Sequence, residues 1–184
     1  MVGVVALVTV SACGGDDPFR PAATVPNVTT GLSLAAFSSG TVSLSAIDLL
    51  NLRVVRPEVS GSGQVNFQFA VDVDAGGQLR LLPVLAVLSP PGGGISVGLA
   101  RSAASFADLA RAPTGGFVAD SAVTTAIGET WLLQIQSGTC FNNDPLYGKF
   151  VVDEVNNVTR RVFVRFVLNR NCGFRDLTEG LPRN

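Results

Sequence analysis

VNFQFAVDV, residues 65–73, is the stretch of this chain that decides its fold class. Large apolar residues occupy every second position: Val65, Phe67, Phe69, Val71 and Val73. Such alternation is typical of a β-strand with one face turned inward. A turn sequence rich in Asp and Gly follows at residues 74–78, and residues 79–88 are again apolar. The pattern therefore predicts a β-hairpin.

Further segments along the chain show the same period of two. Residues 131–136, 149–155 and 161–168 alternate in this way, and the last two flank the turn pair Asn156–Asn157. Residues 105–112 favour one short crossover helix, with Ser105 as its N-cap and Pro113 after its end. About seven strands separated by turns predict an all-β antiparallel sandwich, immunoglobulin-like in architecture. A small β-barrel is the alternative.

Composition narrows the possible chemistry. Hydrophobic residues make up 47% of the 184 residues and charged residues 15%, which suffices for a packed core. The net charge of −1 argues against a nucleic-acid partner. The chain has no histidine, which excludes Ser-His-Asp and Cys-His catalysis and histidine metal sites. Asp72 and Asp74 could hold Ca²⁺ beside the glycine turn, but turn geometry explains them better. No catalytic residue, metal or cofactor is predicted.

The N-terminus carries the one recognisable motif. Val10-Ser11-Ala12-Cys13 follows an apolar run too short to span a bilayer. This arrangement resembles the lipobox of bacterial lipoproteins. The resemblance implies a signal peptide at residues 1–12 and lipidation of Cys13. The proline-, threonine- and serine-rich sequence that follows predicts a tether at residues 13–40, in which residues 32–37 could instead form a first short strand. The strand pattern then predicts a β-sandwich domain at residues 41–184. It also implies a lipid-anchored cell-envelope protein, and Gly14 after the cysteine favours the outer membrane. A buried N-terminal strand containing a cysteine is the alternative.

Cysteine usage agrees with this resemblance. Lipidation of Cys13 would leave Cys140 and Cys172 as a pair among the three cysteines. Both lie in polar loop sequence, and an exported protein meets oxidising conditions. A disulfide between them is predicted at the open end of the last hairpin, with two unrelated buried thiols as the alternative.

A stripe on the last strand is the candidate binding surface. Arg161, Phe163 and Arg165 share one strand face. They could meet an acidic protein, a polysaccharide or lipid headgroups, although a merely solvated face has the same pattern. The sequence thus favours a non-enzymatic binding or structural module of the envelope. Its expected partners are the membrane, through lipid, and an unknown envelope protein or polysaccharide. A carboxylate-based hydrolase of envelope polymers is the alternative.

Overall fold

The computed structural model describes residues 22–40, 42–61, 64–88, 95–136 and 138–183. The lipobox and Cys13 lie outside the described residues, as does the predicted tether up to residue 21. The strands are β1 (Thr29–Ala35), β2 (Ala46–Asp48), β3 (Arg53–Val55), β4 (Phe69–Val73), β5 (Leu79–Pro83), β6 (Ser96–Arg101), β7 (Val123–Thr125), β8 (Thr130–Gln136), β9 (Leu146–Asn156) and β10 (Arg161–Asn169). One four-residue helix, α1 (Val84–Val87), and two 3₁₀ turns (Phe37–Ser39 and Phe141–Asn143) complete the described elements.

The strands form two antiparallel sheets of five. The first sheet has the order β1-β10-β9-β8-β6 and the second has the order β3-β2-β4-β5-β7. The sheets pack face to face over one large apolar cluster, at whose centre the rings of Phe69 and Phe166 each approach Phe150, with centroids 5.1 and 5.3 Å away. The predicted antiparallel β-sandwich is confirmed, and the described strands do not close into a barrel.

The hairpin predicted around residues 65–88 is present as β4 and β5. Phe69, Val71 and Val73 face the core between the sheets, as the alternation indicates. Phe67 precedes the strand and instead packs with Ala70 on the outer side of the second sheet. The turn closes on Asp74, whose Oδ1 accepts the N–H groups of residues 76 and 78 at 2.8 and 2.9 Å. The pattern therefore predicted the hairpin correctly, and Phe67 is the exception.

The short crossover helix lies elsewhere than predicted. It is α1, between β5 of the second sheet and β6 of the first. Residues 105–112 form a single turn, in which Ser105 Oγ accepts the N–H of Asp108. The carbonyl of Phe106, which the next helical turn would use, accepts a hydrogen bond from the ammonium of Lys149 at 2.7 Å, and the carbonyl of Leu109 accepts another at 2.8 Å. A tertiary contact therefore ends the helix after one turn.

The folded domain begins earlier than residue 41. Residues 29–35, which lie within the predicted tether, pair as β1 with β10 along their whole length. The N–H groups of Thr24 and Val25 donate to Asn171 Oδ1 at 2.8 and 3.1 Å. Leu34 is fully buried in the main core. Burial of this apolar side chain stabilises a segment whose proline- and threonine-rich surroundings indicated a linker.

Candidate functional site

The outer face of the first sheet is covered on one side and open on the other. Over β8 and β9, residues 102–118 and the C-terminal segment form a cover. Its residues Leu109, Ala112 and Leu177 bury Leu132 and Tyr147 of the sheet. Lys149 holds this cover in place through its two carbonyl bonds, and its ammonium lies 4.9 Å from the centre of the Phe106 ring. Burial lowers the pKa of Lys149, against the opposing fields of the carboxylates of Glu179 and Asp176. Over β1 and β10 the outer face is exposed, and there the predicted stripe lies.

The three residues of the predicted stripe differ in their environments. Arg165 forms a bidentate ion pair with Asp153, with N–O distances of 2.6 and 2.8 Å. This pairing raises the pKa of the Arg165 guanidinium. A β-bulge between Phe163 and Val164 causes this pairing, because it leaves Asp153 as an extra residue of β9. Arg165 is therefore already neutralised by a neighbour.

Arg161 remains available to a ligand. Its guanidinium donates to the Oγ and the carbonyl of Ser33 on β1, at 3.1 and 3.2 Å. Among the described residues, no carboxylate lies within 4.0 Å of it. The positive charge is held in a fixed place but is not balanced.

Phe163 supplies an exposed ring between the two arginines. It is 40% exposed, although it is the third residue of a nine-residue strand that is paired on both sides. The ring lies over Gly31 of β1, where a Cβ atom would fall 2.9 Å from the Phe163 Cζ. The missing side chain at Gly31 leaves room for the end of the ring.

A shallow groove of about 220 Å³ joins these groups. Its rim carries a cation, a carboxylate, hydroxyls and an amide around the aromatic ring; the lining residues are Ser33, Glu154, Asn156, Thr159, Arg161, Val162 and Phe163. Glu154 lies directly across from Phe163 in the pairing of β9 with β10. Ser33, Gly31 and Glu154 were not singled out from the sequence, because their place beside the stripe follows from the pairing of β1 and β9 with β10.

A larger cleft of about 910 Å³ lies by the C-terminal segment, and its lining includes Asp176 and Glu179. Both carboxylate oxygens of Asp176 accept hydrogen bonds, Oδ1 from the N–H and hydroxyl of Thr178 and Oδ2 from the N–H of Arg183. Burial would raise the pKa of Asp176, but these bonds and the charge of Arg183 outweigh it and the pKa is lowered. The carboxylate therefore acts as a structural acceptor that orders the C-terminal turn.

The other residues discussed from the sequence have structural roles. Cys140 and Cys172 form the predicted disulfide, with Cα atoms 5.7 Å apart. Trp131 and Tyr147 are buried. Asp72 accepts the N–H and hydroxyl of Ser38, whereas Asp74 accepts N–H groups of its own turn. The two carboxylates therefore bind different segments of the chain. No cluster of three metal-binding side chains occurs within the described ranges.

Comparison with known proteins adds no functional assignment, since no protein family, curated protein or solved structure matches this chain. In the part of the chain that the structure describes, no helix has the length and apolar character needed to cross a membrane. The site is therefore interpreted from its own geometry.

Proposed function

We propose that this protein is a non-enzymatic binding domain of the bacterial cell envelope, and that the groove around Phe163 binds an envelope polysaccharide. The observation that carries the proposal is the exposed Phe163 ring between the unbalanced guanidinium of Arg161 and the carboxylate of Glu154. These groups lie on the uncovered half of a rigid sheet. Sites built on such elements hold their side chains in fixed positions.

The chemistry of the groove suits a hydroxyl-rich chain. Glu154 accepts hydrogen bonds, Arg161 donates them, and the hydroxyl of Thr159 does both. The amide of Asn156 can donate, because its Oδ1 already accepts the N–H groups of residues 158 and 159. The ring of Phe163 offers an apolar surface to the C–H face of a sugar. At about 220 Å³ the groove is below the range of roughly 300–1,000 Å³ typical of enclosed small-molecule pockets. A polymer lying across an open surface fits this shape better than a small molecule enclosed in a cavity.

The direction in which the chain enters the domain supports anchoring through Cys13. Thr24 and Val25 are bound by Asn171, next to the disulfide of Cys172. The groove includes Asn156 and Thr159, at the β9–β10 turn, which is the opposite end of that hairpin. Nine residues from Cys13 to Ala22 can span at most about 30 Å. A lipid on Cys13 would thus keep the disulfide end near the membrane, proposed to be the outer membrane, and point the groove away from it.

The partners of two described carboxylates argue against the alternative of a carboxylate-based hydrolase. Asp176 is bound on both oxygens, and Asp153 is paired with Arg165. The pKa of Asp176 is also lowered, whereas a general acid needs a raised pKa.

Binding can be tested with the purified protein on an array of purified bacterial envelope polysaccharides. We expect at least one polysaccharide to bind, and Phe163→Ala and Arg161→Ala each to weaken that binding about tenfold, or about 1.4 kcal/mol. Phe141→Ala is the matched control, because Phe141 is 86% exposed and lies next to the disulfide. Binding by Phe163→Ala as tight as by the unchanged protein would refute the proposed site.

The anchor has its own test. Mass spectrometry of the N-terminal peptide from native cells should show a diacylglyceryl group on Cys13, and Cys13→Ser should release the protein from the membrane fraction. An unmodified peptide that runs through Cys13 would rule out the lipoprotein proposal while leaving the groove untouched.

A further inference from the structure

The four edges of the two sheets are not equally protected. β3 and β7 are only three residues long, and β6 is bridged by Val118, which exchanges both backbone hydrogen bonds with Leu99. β1 has seven residues, TTGLSLA, with no charged residue and no proline. Short length, charge and covering segments are the usual means by which proteins prevent edge pairing. Within the described residues, none of these protects the middle of β1.

The backbone of β1 presents outward N–H and C=O groups at this edge; the Ser33 carbonyl accepts one hydrogen bond from Arg161 and has a second lone pair for another. The N–H of Ala36 donates to Arg160 on the β10 side, whereas the N–H of Ala35 donates to Leu44 on the other side. Because these directions alternate along an antiparallel strand, the N–H and C=O groups of Gly31 and Ser33 point away from β10. Among the described residues, neither N–H has a backbone partner on that side.

We propose that two copies of this chain pair antiparallel through their β1 strands, with the two-fold axis at Leu32. Gly31 of each copy then lies opposite Ser33 of the other. This register uses every outward N–H and C=O group of the two residues. It joins the two first sheets into one continuous sheet, with the outer faces on the same side.

The side chains above the edge are complementary in this register. The ring of Phe163 lies over Gly31, and the guanidinium of Arg161 lies over Ser33. Gly31 and Ser33 of different copies would be neighbours across the new pair, about 5 Å apart. Arg161 of each copy would therefore lie beside the Phe163 ring of the other, within the roughly 6 Å of a cation–π contact. The pairing occurs twice, as two-fold symmetry requires.

The contact is narrow, because one strand and two side chains per copy make it. Stable interfaces bury about 1,200–2,000 Å² in total. The dimer should therefore be weak and concentration-dependent. Glu154 and Asn156 lie on β9, two strands from the edge, and stay outside the pairing.

Sedimentation velocity of the full chain tests this from about 1 µM to about 1 mM, the range of weak association. We expect a reversible shift from monomer to dimer. Ser33→Pro removes the outward N–H while leaving the β1–β10 bonds, and should keep the protein monomeric. Ser33→Ala is the matched control: it also loses the hydroxyl but keeps the N–H, and should still dimerise.

Hydrogen exchange of the unchanged protein at increasing concentration is a second test. The amides of Gly31 and Ser33 should become protected as concentration rises, while the amides of the β9–β10 turn should not. A chain that stays monomeric throughout would overturn the proposal. So would a dimer that persists in folded Ser33→Pro or leaves these two amides unprotected.

Discussion

The ring of Phe163 rests on Gly31 of the neighbouring strand, so closely that a Cβ atom at residue 31 would lie 2.9 Å from the end of the ring. This contact links β1, which the sequence assigned to a tether, to the surface that the sequence singled out for binding. Gly31 differs from Gly148, another glycine of the first sheet, in what an added Cβ atom would meet. At Gly148 in β9, an added Cβ would lie 2.9 Å from the main-chain oxygen of Val167.

Alanine at these two glycines should therefore have different effects. In Gly31→Ala the half-exposed ring can swing away, so we expect a loss of unfolding free energy below about 1 kcal/mol but altered groove binding. In Gly148→Ala the obstacle is backbone in a central strand, so the loss should be about 1–3 kcal/mol. Urea unfolding curves of both variants measure the difference. Equal losses would mean that Phe163 is held as rigidly as the strand itself.

The disulfide should contribute a large share of the stability. It closes a loop with a sequence separation of 32, which is worth about 3–4 kcal/mol in the chain-entropy model. Replacing both Cys140 and Cys172 with Ser should lower the thermal midpoint by roughly 3 °C per kcal/mol. Cys13→Ser is the control that removes a cysteine without touching the bridge. A double variant as stable as this control would show that the hairpin ends are held by other contacts.

The strands could be predicted because the alternation of apolar and polar residues is visible within the sequence of each strand. A period of two is visible in residues 65–73 and 161–168 without any knowledge of the partner strand, and the turns at residues 74–78 and 156–157 carry their own composition. The helix predicted at residues 105–112 does not continue past one turn, because Lys149, 43 residues along the chain, takes the Phe106 carbonyl that the next turn needs. Tertiary contacts of this kind cannot be derived from local periodicity.

The candidate site was predictable only in part. The common face of Arg161, Phe163 and Arg165 follows from strand geometry. The bulge that brings Asp153 to Arg165, and the pairing that brings Ser33 to Arg161, depend on register. Register is set by the whole sheet, so the sequence could not distinguish the neutralised arginine from the available one.

Lys149 should fix the cover over the first sheet. Lys149→Met would leave the carbonyls of Phe106 and Leu109 without their donor, at a cost of about 1–3 kcal/mol. Hydrogen exchange should accelerate in residues 102–118 more than in the β-strands. Arg165→Gln is the control, because Arg165 also lies near the Phe106 ring but its exposed ion pair is worth only about 0–1 kcal/mol. Unchanged exchange in Lys149→Met would show that apolar packing alone holds the cover.

Asp176 should make the fold sensitive to acid. Hydrogen bonds from Thr178 and Arg183 outweigh the effect of burial and hold the pKa of its carboxyl below the ordinary value. A lowered pKa means that the unfolded chain binds the proton more readily. The stabilisation by Asp176 is therefore present above about pH 4, the usual pKa of an unfolded aspartate, and is lost as the pH falls through the folded-state pKa.

Asp176→Asn tests this sign. The variant should be less stable than the unchanged protein at pH 7, because an amide is a weaker acceptor for these donors. Its deficit should shrink as the pH falls below about 4, where Asp176 itself becomes protonated. Unfolding free energies from urea titrations between about pH 3 and pH 7 measure both curves. Asp120→Asn, at an exposed aspartate, controls for the loss of one negative charge. A deficit for Asp176→Asn that is constant over this range would show that Asp176 acts through its shape rather than its charge.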